Sequence, residues 1–364
     1  MATDPNNGGI NRSRVGVAFT PFETRPDVIA RLAMKADELR LASVHVAEGW
    51  THDALLLVAD LALLTSHVDL GTSVISAWGR TPATMALAAS SLQRYSSGRF
   101  SLGIGASSPP LTEGLHGIKW ERPVARLRQT LTSLRALLAG ARLPNPAAGA
   151  HPLRLGVVPE VPVPIVLAAL SPASIRLAGE LADAWAPFLW SRSRIAEGRM
   201  LLRDGEARAG AQAPTRVSIG VPVALGADSE DARRLAAWWL STYTTRMGPL
   251  YPRMLSERFG MAGAVSEIVD AAQRNRGDQL PSAANELADE VTLMGTYEQA
   301  GELIESWFAA GADALQLVLP PGRPEHELGQ ILEAAAAVAA PPGPPRPGDR
   351  SGGEIGRRPS LASG

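Results

Sequence analysis

The chain has no cysteine in its 364 residues. That excludes disulfides, thiolate metal sites, iron–sulfur clusters and a cysteine nucleophile. Lysine is nearly missing as well. Lys35 and Lys119 are the only two among 35 basic residues, and the rest are arginine. With so much alanine, this reads as the coding bias of a GC-rich genome rather than as a basic binding surface. Formal net charge is only −1, so no global field favours nucleic acid or an anionic membrane, and neither is expected as a partner. No eighteen-residue apolar run occurs, which excludes a membrane-spanning helix. Met1 to Arg14 has no apolar signal core, so a cytoplasmic location is expected. Six histidines are scattered without metal-ligand spacing, and no metal is expected. A Gly-x-Gly-x-x-Gly turn followed by an acid is also missing; Gly103-Ile-Gly105 is only a fragment of one.

What is present is a 45% hydrophobic content arranged in alternating short and long apolar segments. Short runs that suit buried strands occur at Val15–Thr20, Ser43–Ala47, Val68–Ile75, Arg99–Gly105, Pro164–Ala169, Asp183–Leu189, Arg216–Leu225 and Ala314–Leu319. Helical segments lie between them, from Pro26, Thr51, Pro82, Pro123, Ser171, Ser193 and Thr296 onward, and Glu325–Val338 follows the last strand. Pro222 implies a bulge or sheet edge. The Pro/Gly-rich stretch 140–161 reads as a surface excursion with a short strand near Leu153–Val158. About eight strand–helix repeats predict an α/β fold, a (β/α)8 TIM barrel, over residues 14–339 as one domain. Residues 228–290 are too long for one barrel helix and read as a helical insertion near the later strands. Residues 1–13 read as a flexible N-terminus, and 340–364, opening Ala-Pro-Pro-Gly-Pro-Pro, as a disordered tail.

In such a barrel the chemistry sits at the C-terminal ends of the strands. Three segments there stand out. Ala169-Leu-Ser-Pro-Ala-Ser-Ile-Arg176 ends a strand and starts a helix, so Ser171 and Ser174 either cap it or, with its free N–H groups, hold an anion. Gly103-Ile-Gly-Ala-Ser-Ser108 is either a tight turn or a place where backbone approaches a ligand closely. Thr72 and Ser73 place hydroxyls inside an apolar strand, for hydrogen bonding within the barrel or for a ligand. Glu48 ends a buried strand, where an acid is costly unless it is paired, with Arg80 for example, or functional. His116 and Glu113 lie in a loop above the expected mouth, and Trp50 and Trp78 sit at strand exits as rim packing or as a wall for a flat ligand.

Taken together, these motifs resemble the bacterial luciferase-like flavin and deazaflavin oxidoreductases, over roughly residues 14 to 338. The nearest branch is the coenzyme F420-dependent one that includes methylenetetrahydromethanopterin reductase. The resemblance is carried by Ser43-Val-His-Val-Ala-Glu-Gly-Trp50 with Asp53, Gly71-Thr-Ser-Val-Ile75 with Arg80-Thr-Pro-Ala83, Gly98-Arg-Phe-Ser-Leu-Gly-Ile-Gly105, Glu113-Gly-Leu-His-Gly117 and Ser171-Pro-Ala-Ser-Ile-Arg-Leu-Ala-Gly-Glu-Leu-Ala-Asp183. It implies a hydride-transferring oxidoreductase acting on a C=N or C=C bond of a small organic substrate, or in reverse. It implies F420 bound at the mouth by Thr72, Ser73, Val74, Gly105, Ala106, Ser107, Ser171 and Ser174. A non-prolyl cis peptide beneath the ring is implied at Ser73–Val74. Phe19, Trp50 and Trp78 fall on the substrate side. Members that use FMN carry an arginine where Ala106 stands, which favours the deazaflavin; the alternative is an FMNH2-dependent monooxygenase that uses O2 and a separate cofactor reductase. Family dehydrogenases carry a histidine and a glutamate where Gly49 and Ser107 stand, so no general acid carries over. Glu48, Glu113 and His116 are the substitutes. Homodimers are usual in the family, and one is expected here.

Overall fold

Every strand pairing among the described residues is parallel. The structure is a computed structural model that describes residues 14–339; the expected loose N-terminus and Pro/Gly tail lie outside them. In chain order the first half runs β1 (Val15–Phe19), α1 (Pro26–Glu38), β2 (Ser43–Val46), α2 (Ala54–Leu64), β3 (Asp69–Thr72), β4 (Ile75–Ser76), α3 (Pro82–Tyr95), β5 (Phe100–Gly105), α4 (Pro109–Gly114) and α5 (Pro123–Leu138). The second half runs β6 (Ile165–Ala168), α6 (Pro172–Leu181), β7 (Ala184–Trp185), α7 (Ile195–Ala209), β8 (Arg216–Gly226), α8 (Ser229–Thr245), α9 (Leu250–Arg253), α10 (Ala262–Gln273), α11 (Asn285–Val291), β9 (Leu293–Thr296), α12 (Ala300–Ala309), β10 (Ala314–Leu319) and α13 (Glu325–Ala339).

The strands close into a barrel in the order β1-β2-β3-β5-β6-β7-β8-β10, and β10 returns to β1. β3 and β4 are one stave broken at residues 73–74, and both pair with β5. Eight staves therefore close, as the alternation predicts, with α8 to α11 inserted before the last of them. β9 lies outside the ring. Residues 218–222 of β8 pair with β10, and residues 223–226 pair with β9. Pro222, which has no N–H to donate, stands where β8 changes partner.

The stretch 139–164 contains no strand. Pro144, Pro146, Pro152, Pro159, Pro162 and Pro164 deny it the donors a ladder needs. Side chains take up its carbonyls instead: the Ser90 hydroxyl donates to Val157, and the Gln93 amide to Pro162. No helix among the described residues is long and apolar enough to cross a membrane.

The barrel strands alternate in size. Val17, Val44, Leu70, Leu102, Ile104, Ile165, Leu167, Trp185, Ile219, Leu315 and Leu317 are fully buried against the helix ring. The residues between them are small or polar, except Val166 in β6. A Cβ placed on Gly16 would strike the Ser43 hydroxyl and come within 2.7 Å of Gln316 Oε1. One on Gly71 would come within 2.6 Å of Ser101 Oγ and 2.9 Å of the His45 ring. These side chains therefore share the interior. Barrels of this type usually fill that space with branched residues; this one leaves it partly hollow.

Candidate active site

The hollow opens at the C-terminal ends of the strands as a cavity of about 690 Å3, its open mouth included. Its floor is polar, formed by His45, Ser218 and Gln316. Its walls are small and apolar: Ala18, Ala47, Val166, Ala168, Ala186, Gly220 and Val318. Phe19, Thr20, Pro21, Pro187 and Phe188 form the rim, and Tyr243 of α8 and Tyr251 of α9 reach over from the insertion.

The floor carries unspent hydrogen-bonding capacity. Gln316 is 6% exposed; its amide Nε2 donates to Ser43 Oγ at 2.7 Å, while Oε1 is buried with no partner. His45 is 7% exposed, and burial pushes its ring down to about 4, so it is neutral at pH 7. The roof is an aromatic cluster. The Tyr243 and Tyr251 ring centroids lie 5.0 Å apart, Tyr243 packs on Phe188 at 4.8 Å, and Phe22 meets Trp50 at 5.2 Å and Trp238 at 5.8 Å. Burial raises the phenol pKa of both tyrosines, which keeps them protonated donors.

The peptide bond Ser73–Val74 is cis, at the position the resemblance implies. Ser73 N–H donates to the Val46 carbonyl (2.9 Å), and Glu48 N–H to the Val74 carbonyl (3.3 Å). The Thr72 hydroxyl both donates to the Gly103 carbonyl and accepts from the Gly103 N–H, at 2.8 and 2.9 Å. Ser73 and Val74 thus line the cavity, whereas Thr72 is spent inside the sheet. The glycines of β5 serve this bulge. A Cβ on Gly103 would strike the Thr72 carbonyl, and one on Gly105 would lie 2.8 Å from Val74. Neither a tight turn nor ligand approach is needed to explain them.

Glu48 and His116 come together in a separate, more open cavity beside the first, with His52, Asp53, Gly79 and Arg80. Arg80 donates to Glu48 at 2.5 Å and to Asp53 at 2.6 Å, and the Glu48 carboxylate raises the guanidinium pKa. The other Glu48 oxygen accepts the Ala54 N–H at 3.2 Å. His116 packs over Gly79, where a Cβ would sit 3.1 Å from the imidazole. Glu113 is exposed and accepts the Trp120 N–H at 3.0 Å. None of these three lines the central cavity.

Trp50 is 48% exposed and joins the side cavity to a groove with Ser108 and Met247. Trp78 is buried and lines none of these spaces. Its indole and that of Trp120 both donate to the Ala106 carbonyl at 2.9 Å. Ser107 follows in a left-handed conformation (φ 57°). Gly105 pairs with Ala168, which brings the end of β5 beside the start of α6. There Ser171 and Ser174 form a reciprocal cap: each accepts the other's N–H, at 3.2 and 3.1 Å, and the hydroxyls are 2.8 Å apart. Arg258 of the insertion donates to the Leu170 carbonyl at 2.6 Å and pairs with Glu197 at 2.8 Å.

The cavity residues that sequence reasoning passed over are His45, Gln316, Ser218, Phe188, Tyr243 and Tyr251. For the three floor residues a signal existed: a polar or small residue at every second position of a barrel strand. The tyrosines, inside the long helical insertion, carried none.

Residues 10–314 match the luciferase-like monooxygenase family. A protein of Mycobacterium tuberculosis named as a coenzyme F420-dependent oxidoreductase is 28% identical over 341 residues, 86% of this chain and 95% of its own length. Among solved structures, the coenzyme F420-dependent tetrahydromethanopterin reductase of Methanopyrus kandleri superposes with a TM-score of 0.72 at 15% identity, over 90% of this chain and all of the other. The FMN-bound oxygenating constituent of 3,6-diketocamphane monooxygenase from Pseudomonas putida superposes at 0.64 with 19% identity, over 91% of this chain and 99% of its own. With its closed barrel, its cis bulge and a match over most of its length, this chain belongs to the luciferase-like monooxygenase family.

Proposed function

We propose that this chain is an oxidoreductase that uses coenzyme F420 to reduce or oxidise a small organic substrate in the central cavity. The observation that carries this reading is the cavity itself: small-walled, flanked by the Ser73–Val74 bulge, and floored by unpaired hydrogen-bonding groups. The name of the mycobacterial relative supports the choice of cofactor.

The residues present fit a flat heterocycle with polar edges. Ala18, Ala168, Ala186 and Gly220 leave room that larger side chains would fill, and Gln316 Oε1 needs a donor that the protein does not supply. Ser73 and Val74 would support the ring. The Gly105–Ala106–Ser107 turn and the start of α6 at Ser171 and Ser174 would hold an anionic tail, with the positive end of the helix and Arg258 nearby. When bound, a reduced deazaflavin supplies a hydride. The barrel fixes position, and the aromatic roof from the insertion keeps water out. Glu48, already paired with Arg80, shapes the neighbouring polar cavity with His116.

The test is a titration of the purified chain with oxidised and reduced F420, FMN and FMNH2. Selective F420 binding is expected. Selective FMNH2 binding with oxygen-dependent turnover would replace this reading with a monooxygenase.

A further inference from the structure

The central cavity and the side cavity differ sharply in charge. No Asp, Glu, Lys or Arg lines the central cavity among the described residues, although it draws on β1, β2, β6, β8, β10, the segment after β7 and two inserted helices. The side cavity gathers Glu48, Asp53 and Arg80, all committed to one another. A carboxylate or phosphate taken into the central cavity would lose its hydration and gain no counter-charge. Hydrogen bonding is nonetheless on offer. The Tyr243 and Tyr251 side chains line the cavity, and neither hydroxyl has a hydrogen-bond partner among the described residues. A phenol held protonated can donate to a carbonyl oxygen or an imine nitrogen.

We propose that the substrate is an uncharged, mostly apolar carbonyl or imine compound, and that the hydroxyls of Tyr243 and Tyr251 donate hydrogen bonds to its acceptor atom. This rests on the reading of the central cavity as the redox site, but not on which flavin occupies it. Burial keeps both phenols neutral, so the donors persist through the physiological pH range. The pair comes from the insertion, not from a barrel strand. It supplies the donors missing at Gly49 and Ser107.

The experiment measures binding of cyclohexanone and of cyclohexanecarboxylate, two probes with the same ring, to the full chain by saturation-transfer NMR without added cofactor. Binding is scored as the part abolished in Ala168→Leu, which obstructs only the central cavity. Cyclohexanone is expected to bind at least about thirtyfold tighter than the carboxylate, the scale of an uncompensated buried charge. Tyr243→Phe and Tyr251→Phe are each expected to weaken ketone binding roughly three- to tenfold, with an unchanged melting temperature and unchanged carboxylate binding. Equal or tighter binding of the carboxylate would overturn the substrate class. Unaltered ketone affinity in both Phe variants and in their double would overturn the role of the tyrosines. Neither result depends on the F420 titration, and failure of that titration leaves both measurements standing.

Discussion

On β1 the residues turned toward the helices are Val15 and Val17, and those next to them are Gly16 and Ala18; on β10, Leu315 and Leu317 face out while Gln316 and Val318 face in. The same strands thus serve two ends. The outward face buries whole aliphatic side chains, worth roughly 1.5–3 kcal/mol each, and holds the ring of helices. The inward face has given up that bulk for space and a few polar atoms. Stability and capacity are therefore separable residue by residue along one strand, at neighbouring positions a few ångströms apart.

The largest effects should split along that line. Ile219→Ala, on the outward face of β8, is expected to cost about 2–5 kcal/mol of unfolding free energy and to leave F420 affinity of the folded protein unchanged. Ala168→Leu, on the inward face of β6, is expected to lower F420 affinity by about a hundredfold while changing stability by less than about 1 kcal/mol, because the added carbons enter space already empty. Urea denaturation alongside cofactor titration checks both. Equal destabilisation by the two variants would mean that the interior is packed and the comparison fails.

The outward face is what made the fold legible. Apolar runs such as Val15–Thr20 and Ala314–Leu319 announce buried strands, and their alternation with helices gives the barrel. The hollow was legible too in the small and polar partners of those same runs, in Val-Gly-Val-Ala and Ser-Val-His-Val. Read only as apolar segments, they hide it. Glu48 pairs with Arg80, one of the two readings its buried position allows, and the bond Ser73–Val74 follows from family likeness, not from any local propensity. The roof could not be read, because which turn of α8 swings over the mouth is set by tertiary packing of an insertion. The reason for Gly103 and Gly105 was equally hidden. It lies in Thr72 and Val74 on the neighbouring stave.

A smaller effect tests the cost of the polar floor. His45 is buried between the outward-facing Val44 and Val46, and its folded pKa of about 4 lies below the ordinary value of 6.5. Between those values the unfolded chain binds more protons than the folded one, so stability is full above pH 6.5 and is lost as pH falls toward 4. From pH 7 to pH 5 the loss due to His45 is expected to be about 1–2 kcal/mol, and His45→Gln is expected to remove that part of the slope. Parallel slopes for the two proteins would mean that the floor accepts a charged imidazole, and would weaken its contrast with the apolar shell.

The smallest effect concerns the start of α6, where the inward and outward rules meet. Ser171 and Ser174 already satisfy each other's backbone N–H groups, and their hydroxyl protons go to the Ser171 carbonyl and to each other, so neither is left to donate to an anion. Ser171→Ala is therefore expected to lower stability by about 1 kcal/mol, the ordinary scale of a lost helix cap, and to change F420 affinity less than twofold. The substitution leaves the Ala173 N–H in place and releases that of Ser174, and any anion held there would be held mainly by such backbone groups. A tenfold loss of affinity with an unchanged denaturation midpoint would reverse the assignment. It would show that the cap opens on binding and that the serine hydroxyls turn from the helix to the cofactor.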